Sequence, residues 1–382
     1  MSEILTGPEL VALVQRVFQP QAGEKALAIL VDLPDAKVPD DADWAARRDI
    51  AAAWAAELNA HRADLGLDTH LVVYPNVHTN NGDLPDRAWL HAGGPLPSVD
   101  SLDPAASISF ADLYASHPIL IALTQFSATA PLKLAAKTQP IRAATMPGFR
   151  ADMIPALRLD YTEVNRRVEL LKDLLDRAEG ADFRFDTPSG ACELHLDLRH
   201  RTGHASGGLL PKPGVAGNLP SGEAYIVPYE GELAGDPSRT AGIMPVQFDD
   251  EVVRYRIAGN KALDVISEGP KSRKEAALLA KEPAYGNIAE LGLGVLSAFG
   301  IKPIGEILLD EKLGLHIAFG RSDHFGGQVG PAQFSGPDAV IHIDRVYVPE
   351  TQPNVKIVAV DLTMANRTTI ALIRDGEYAV GF

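Results

Sequence analysis

The sequence predicts an α/β amino-terminal domain with a mainly parallel sheet, followed by a β-rich α+β domain. Helical and strand patterns alternate in the first half, which favours a parallel sheet packed against helices. Short strands dominate the second half. At 382 residues the chain is too long for one ordinary core. We therefore expect two domains, 1–180 and 181–382.

In the first half, apolar residues occur either in short continuous runs or at helical spacing. The continuous runs are typical of buried strands and cover 26–32 (ALAILVD), 69–74 (THLVVY) and 118–123 (PILIAL). Helical spacing predicts four helices, at 8–18, 44–66, 130–137 and 162–180. The last of these is expected to end at a glycine.

In the second half, alternation of apolar and polar residues predicts strands joined by turns. The clearest strands are FRFDT, CELHLDL, AYIVPY, IMPVQF, VVRYRIA, VIHIDRVYV, VKIVAV and TTIALI. One helix is expected at 272–281. The Gly/Pro-rich segment 201–223 is expected to be a loop, with His204 in solvent.

Composition and charge limit the location and the partners. With 46% apolar and 22% charged residues, the chain has the composition of a globular protein. A net charge of −15 disfavours nucleic acid and anionic membranes as partners. The single cysteine, Cys192, excludes an intramolecular disulfide and is expected to be buried. No signal peptide or spanning segment is recognisable, so a cytoplasmic location is expected.

Acidic and imidazole side chains recur in apolar or glycine-rich segments of the second half. These segments are NLPSGE, AELGLG, LDEKLGLHIAFG and AVIHID, with Glu223, Glu290, His316, His342 and Asp344. In AVIHID the two polar residues are i and i+2, so they share a strand face. Three carboxylates and two imidazoles suit Zn²⁺, Mn²⁺ or Co²⁺, and with water they are enough for two ions. Two ions about 3.5–4 Å apart can activate a shared water.

In their order and approximate spacing, the four segments resemble the thermophilic aminopeptidase family, dinuclear-metal exopeptidases typified by aminopeptidase T. The resemblance covers about residues 215–382. It implies two domains, a homodimer and five metal ligands: Glu223, Glu290, His316, His342 and Asp344. Lys312, in the DEK segment, is a candidate partner for a ligand carboxylate or a substrate carboxylate.

The chain departs from this family at one position. Seven residues after the ligand histidine the family carries a tyrosine, whereas this chain has Asp323, followed by His324. A phenol can donate a hydrogen bond to a developing oxyanion, and an ionised aspartate cannot. His324 is a candidate replacement, and both residues are candidates for a catalytic role.

The leading hypothesis is a metal-dependent hydrolase, an aminopeptidase or amidase acting on a small molecule or short peptide. Two divalent ions (Zn, Co or Mn) would supply a metal-bound hydroxide, and Glu223 or Glu290 could carry the proton. One alternative is a mononuclear Fe(II) dioxygenase that cleaves a hydroxylated pyridine, using His316, His342 and Asp344. Another is a non-catalytic binding protein on a peptidase scaffold.

Overall fold

The computed structural model describes residues 4–382. Its helices are α1 (Gly7–Phe18), α2 (Ala42–Ala60), α3 (Arg62–Leu65), α4 (Phe110–Ser116), α5 (Thr129–Ala136), α6 (Ile154–Leu157), α7 (Tyr161–Leu175), α8 (Pro270–Lys281) and α9 (Ile307–Asp310). The first ten strands are β1 (Ala26–Leu33), β2 (Asp68–Pro75), β3 (Arg87–His91), β4 (Ile108–Ser109), β5 (Ile119–Ala122), β6 (Arg142–Thr145), β7 (Ala178–Thr187), β8 (Gly190–Asp197), β9 (His204–Ser206) and β10 (Val215–Asn218). The others are β11 (Glu223–Ile226), β12 (Ala241–Phe248), β13 (Glu251–Ala258), β14 (Lys261–Val265), β15 (Ile288–Gly294), β16 (Leu315–Gly320), β17 (His342–Val346), β18 (Lys356–Met364), β19 (Thr369–Arg374) and β20 (Glu377–Tyr378).

The chain divides into two compact units. The first comprises the chain up to Asn165 together with Gly208–Ser221, and the second comprises Arg166–Gly207 and Gly222–Phe382. The first unit thus includes a returning segment that a single boundary after residue 180 does not describe. The expected α/β character and the β-rich second half are confirmed.

The first unit is built on a seven-stranded sheet in the order β10–β6–β5–β1–β2–β3–β4. The strands from β10 to β2 are parallel, and β3 and β4 are antiparallel. All eight residues of the central strand β1 are buried. Helix α2 contacts β1 and β2, and α5 contacts β6 and β10. A continuous apolar strand is expected at the centre of such a parallel sheet.

Asp32 holds the carboxyl end of β1 in place. Its side chain is buried and accepts hydrogen bonds from the backbone N–H of Gln125 (2.8 Å), that of Phe126 (2.9 Å) and the indole of Trp44 (3.0 Å). A buried donor left without an acceptor costs about 1–3 kcal/mol, so Asp32→Ala should lower the free energy of unfolding by about 2–5 kcal/mol. Urea unfolding would measure this loss.

The control for this prediction is Asp264→Ala, which removes a half-exposed ion pair with Arg256. Exposed pairs contribute at most about 1 kcal/mol, so this control should change stability little. Equal losses in the two variants would contradict the role of Asp32.

The second unit contains two antiparallel sheets. The five-stranded sheet has the order β17–β16–β15–β11–β9, and the eight-stranded sheet has the order β14–β13–β12–β8–β7–β18–β19–β20. The two sheets meet through aromatic residues: the ring of Phe319 on β16 lies 5.0 Å from that of Tyr255 on β13. Side chains alternate along β16, so the face opposite Phe319 is left for polar groups.

Helix α7 is shorter than the predicted helix 162–180. It ends at Leu175, and strand β7 begins at Ala178. Gly180 pairs with Asp197 across β7 and β8, and a Cβ on this glycine would lie 2.7 Å from His195 Cε1. Pairing of β7 with both β8 and β18 therefore overrides the local helical pattern.

The segment 201–223 is not a simple loop, contrary to the sequence prediction. It contains β9, which pairs with β11 in the second unit, and β10, which pairs with β6 in the first. Both strands have four residues or fewer. Runs this short carry too little alternation to be recognised.

The structure also shows the position of the single cysteine and the character of the helices. Cys192 is buried on β8, as predicted. Among the described residues, no helix combines the length and the apolar character that crossing a membrane requires.

Candidate metal centre

The five-stranded sheet brings all five predicted metal ligands together on one face. They are Glu223 on β11, Glu290 on β15, His316 on β16, and His342 and Asp344 on β17. Directly opposed residues in antiparallel strands share a face. Across β15 and β16, Glu290 is opposite Ala318, which is in turn opposite Asp344 on β17. The register of the strands therefore brings together residues that are up to 121 positions apart in the sequence.

Small residues between the ligands make room for them. Gly292 lies opposite His316, and a Cβ on this glycine would lie 1.9 Å from His316 Nε2. Gly294 lies opposite Glu223 and makes room for the backbone of Lys312 instead, because a Cβ on this glycine would lie 2.3 Å from the Lys312 carbonyl carbon. The ELGLG segment is therefore a strand over which the imidazole lies.

Glu290 lies at the centre of the cluster. Its Oε1 is 3.4 Å from His316 Nε2, and its Oε2 is 3.2 Å from His342 Nε2. His342 Nε2 is also 3.4 Å from Asp344 Oδ1. Two groups of ligand atoms result, Glu223–Glu290–His316 and Glu290–His342–Asp344, each within 4.8 Å. They share Glu290, and each contains one histidine.

Backbone carbonyls orient both imidazoles. His342 Nδ1 lies 2.8 Å from the carbonyl oxygen of Arg321, and His316 Nδ1 lies 3.3 Å from that of Gly314. A carbonyl only accepts, so Nδ1 carries the proton in the neutral ring. Nε2 then faces the carboxylates: when protonated it donates to them, and when deprotonated its lone pair can bind a metal. Metal-binding histidines are commonly fixed in this way.

Lys312 and Glu311 extend the cluster beyond the predicted ligands. Lys312 is 1% exposed and donates to Glu223 Oε1 at 2.5 Å. It also pairs with Glu311, a residue that sequence reasoning missed. The only signal for Glu311 was its position in the DEK segment. The pair leaves Glu223 Oε2 free: this buried oxygen has no hydrogen-bond partner and lies 3.6 Å from His316 Nε2.

Burial and crowding of negative charge shift the pKa values in the cluster. Burial raises the pKa of Glu223, and it raises that of Glu311 to about 8. Burial alone would lower the pKa of His316, but the hydrogen bond to Glu290 and the charge of Asp344 raise it to about 9. Burial also opposes protonation of His342, but nearby Asp344 raises its pKa. Protons on the two imidazoles, together with the ammonium of Lys312, thus balance the charge of the carboxylates.

The arrangement fits a divalent cation. Carboxylate oxygens and oriented imidazole nitrogens are ligands for zinc, manganese, cobalt and iron. A cation would satisfy the unpartnered Oε2 of Glu223 and would take the place of the protons that the carboxylates hold on the two imidazoles. A buried charge is otherwise costly unless it is paired or bound to a metal. These residues could therefore hold a metal.

The two other candidate residues lie on the segment 321–330, at the β17 side of the cluster. Asp323 accepts a hydrogen bond from Arg321 Nε at 2.5 Å, so its carboxylate is held by a guanidinium. The His324 ring lies 5.4 Å from that of His342. Partial burial of the ring, together with the charges of His342 and Arg321, lowers the pKa of His324 to about 4. His324 is therefore neutral at pH 7, and the catalytic roles of both residues stay predictions.

Glu230 anchors this segment. Its Oε1 accepts from Ser322 Oγ at 2.6 Å and from Asn287 Nδ2 at 2.8 Å, and its Oε2 accepts from the N–H of Gln328 at 2.5 Å. Asn287 directly precedes β15. The carboxylate thus ties the segment that bears His324 to the strand that bears Glu290.

An aromatic cluster borders the metal ligands, and of its four members sequence reasoning proposed only His324 as a site residue. We define it as His204, Tyr225, His324 and Phe325. The rings of His204 and Tyr225 are stacked at 5.0 Å, and Phe325 lies edge-on to Tyr225 at 4.9 Å. Phe325 is also 5.5 Å from His342. Tyr225 could have been found from its i+2 spacing to Glu223, whereas His204 was assigned to a loop.

Two solved structures share the fold over almost the whole chain. The 2,5-dihydroxypyridine dioxygenase from Pseudomonas putida KT2440 has a TM-score of 0.58 and 13% identity, covering 99% of each chain. AmpT from Thermus thermophilus has a TM-score of 0.53 and 16% identity, covering 98% of this chain and 99% of that chain. No protein-family model matches the sequence, and no curated protein does. Both neighbours are enzymes, and at these identities the likeness shows the fold that this chain shares with them.

Proposed function

We propose that this protein is a metal-dependent hydrolase with a dinuclear centre that cleaves amide bonds in small substrates such as short peptides. The observation that carries the proposal is the shared position of Glu290 between two ligand groups. A carboxylate with one histidine at each oxygen is suited to bridge two ions. The likeness to AmpT supports the same assignment.

The two groups assign a ligand set to each ion. Glu223, Glu290 and His316 would hold the first, and Glu290, His342 and Asp344 would hold the second. When bound, two such ions lower the pKa of a shared water and polarise a substrate carbonyl. Lys312 holds Glu223 at Oε1 and so keeps Oε2 directed at the first group.

In amide hydrolysis, water adds to the carbonyl carbon, the carbon–nitrogen bond breaks, and the amine nitrogen takes up a proton. A carboxylate that moves this proton needs an oxygen free to accept it. Glu290 has a histidine at each oxygen, whereas Glu223 Oε2 accepts no hydrogen bond. Glu223 could take the proton on Oε2 only by giving up its place as a ligand to the first ion, so neither glutamate is preferred for this role.

Metal content is the first test. The untagged protein would be purified without chelators, and its metal would be measured by elemental analysis before and after reconstitution with Zn²⁺, Mn²⁺ or Co²⁺. We expect about two ions per chain and metal-dependent hydrolysis on a panel of aminoacyl amides and dipeptides. Two ions without hydrolysis on that panel would contradict the amidase assignment but not the dinuclear centre.

A mononuclear Fe(II) dioxygenase that cleaves a hydroxylated pyridine is the second candidate. The ion pair of Lys312 with Glu223 favours it, because the ammonium already neutralises this carboxylate and leaves only its Oε2 for an ion. His316, His342 and Asp344 would remain as a set of two histidines and one carboxylate. The similarity in fold to a dihydroxypyridine dioxygenase is consistent with this candidate. One iron per chain and Fe²⁺-dependent oxygen uptake with a dihydroxypyridine would establish it in place of the hydrolase.

A further inference from the structure

Tyr225 places a phenol on the sheet face that carries the ligands. It follows Glu223 by two residues on β11, so both side chains leave the strand on the same side. Across the sheet, Tyr225 is opposite Gly292, and the same glycine is opposite His316. The phenol and the imidazole therefore flank one glycine, with no side chain between them.

Neighbouring rings fix the orientation of the phenol. His204 lies opposite Tyr225 on β9 and stacks on it with an angle of 23° between the ring planes. The ring of Phe325 contacts the ring of Tyr225 edge-on, at an interplanar angle of 63°. The Phe325 carbonyl lies 3.1 Å from His204 Nε2, which links the two neighbours to each other. A ring held in this way is preorganised, so little reorganisation is needed when it acts.

The hydroxyl of Tyr225 has no hydrogen-bond partner within the described second unit. The other tyrosines of that unit all donate to a protein acceptor: Tyr229, Tyr255, Tyr285, Tyr347 and Tyr378. Tyr225 is also only partly buried. A buried or half-buried tyrosine hydroxyl usually finds a partner, so this one is available for a group outside the protein.

We propose that Tyr225 is a catalytic residue whose hydroxyl donates a hydrogen bond to the oxyanion that forms when water adds to the scissile carbonyl. This inference rests on the proposed hydrolase function. Tyr225 keeps its own proton throughout: the carbonyl π electrons move to oxygen, the carbon–nitrogen bond then breaks, and the carbonyl re-forms. The hydrogen bond from the Tyr225 hydroxyl strengthens as negative charge develops on the carbonyl oxygen, and donors of this kind accelerate acyl transfer in this way.

The proposal accounts for the departure at residue 323. The thermophilic aminopeptidases carry a tyrosine there, but this chain has Asp323, which is held by Arg321. Tyr225 on β11 supplies a phenol to the same face of the sheet, from a different strand. A sequence comparison confined to the segment after His316 does not reveal this substitution.

The test is Tyr225→Phe, which keeps the ring and its stacking and removes only the hydroxyl. We expect kcat to fall roughly 10²–10³-fold, as for other oxyanion donors, with KM and metal content unchanged. The matched control is Tyr229→Phe, because the Tyr229 hydroxyl donates to the carbonyl of Asp236 away from the ligands. A Tyr225→Phe enzyme with wild-type kcat, or one that loses its metal, would overturn the proposal.

A binding measurement separates this proposal from the proposed function. The phosphonic acid analogue of phenylalanine presents a tetrahedral anion, and calorimetry on metal-loaded protein gives its Kd. We expect Tyr225→Phe to bind it roughly 10–100-fold more weakly, as for a lost hydrogen bond to a charged group. If the wild type cleaves no amide but this weakening is seen, the hydrolase assignment fails and the donor role stands. Unchanged phosphonate affinity would refute the donor role whatever the turnover.

Discussion

Replacement of Glu290 with glutamine is expected to abolish turnover and to reduce the bound metal from about two ions to one or none. Glutamine has nearly the same shape, so the buried strand β15 should still form. Its amide nitrogen cannot ligate a metal, and one of the two histidines then faces an N–H group in place of a carboxylate oxygen. Loss of an outer-shell partner already costs about 10–100-fold in affinity or activity, and loss of a shared ligand should cost more.

The measurements are metal content, kcat/KM on an active amide, and the far-ultraviolet circular dichroism of the variant. Glu350→Gln is the matched control, because Glu350 is paired with Lys302 outside the cluster. We expect this control to keep two ions and wild-type activity. A Glu290→Gln protein that is fully active with two ions would refute the bridging assignment.

Replacement of Gly292 with alanine is expected to disrupt the metal centre by adding one methyl group. The new Cβ would lie 1.9 Å from Nε2 and 2.0 Å from Cε1 of His316, so the imidazole must leave its position. Gly292 is fully buried within β15, which leaves the backbone little room to yield. Overpacking of a tight interior typically costs about 1–3 kcal/mol, and here the displaced group is a proposed ligand.

For this variant we expect metal at the His316 group to be lost, with a larger effect on metal affinity than on the unfolding midpoint of metal-free protein. Isothermal titration with Zn²⁺ and urea unfolding would separate the two effects. Gly381→Ala is the control, since a Cβ at Gly381 meets no atom within 4 Å. Retention of two tightly bound ions by Gly292→Ala would mean that His316 is not a ligand.

The aromatic cluster and the pair of Lys312 with Glu223 are the features that bear on the choice between the two proposed functions. Phe325 beside His342 offers a surface for an aromatic ring, and Lys312 on Glu223 lowers the demand for a second cation. The shared position of Glu290 favours two ions. Metal stoichiometry therefore decides between hydrolase and dioxygenase before any substrate is known.

The sequence by itself determined which side chains could form a site. Strand periodicity predicts that His342 and Asp344 share a face, and in the structure they lie 3.4 Å apart on β17. Acidic and imidazole residues in apolar segments also predict a buried cluster, because burial is tolerated only with partners. The continuous apolar run of β1 likewise predicted a central buried strand.

Only the tertiary structure decided what lies beside those ligands. Tyr225 and His204 enter the site through strand register and through β9, a strand of three residues with no local signal, and Glu311 joins it through its pair with Lys312. The same holds for Gly292, whose role depends on the residue opposite it. Side-chain periodicity is a local property that a sequence displays directly. Register between distant strands depends on the packing of the whole unit, so it could be known only after the chain had folded.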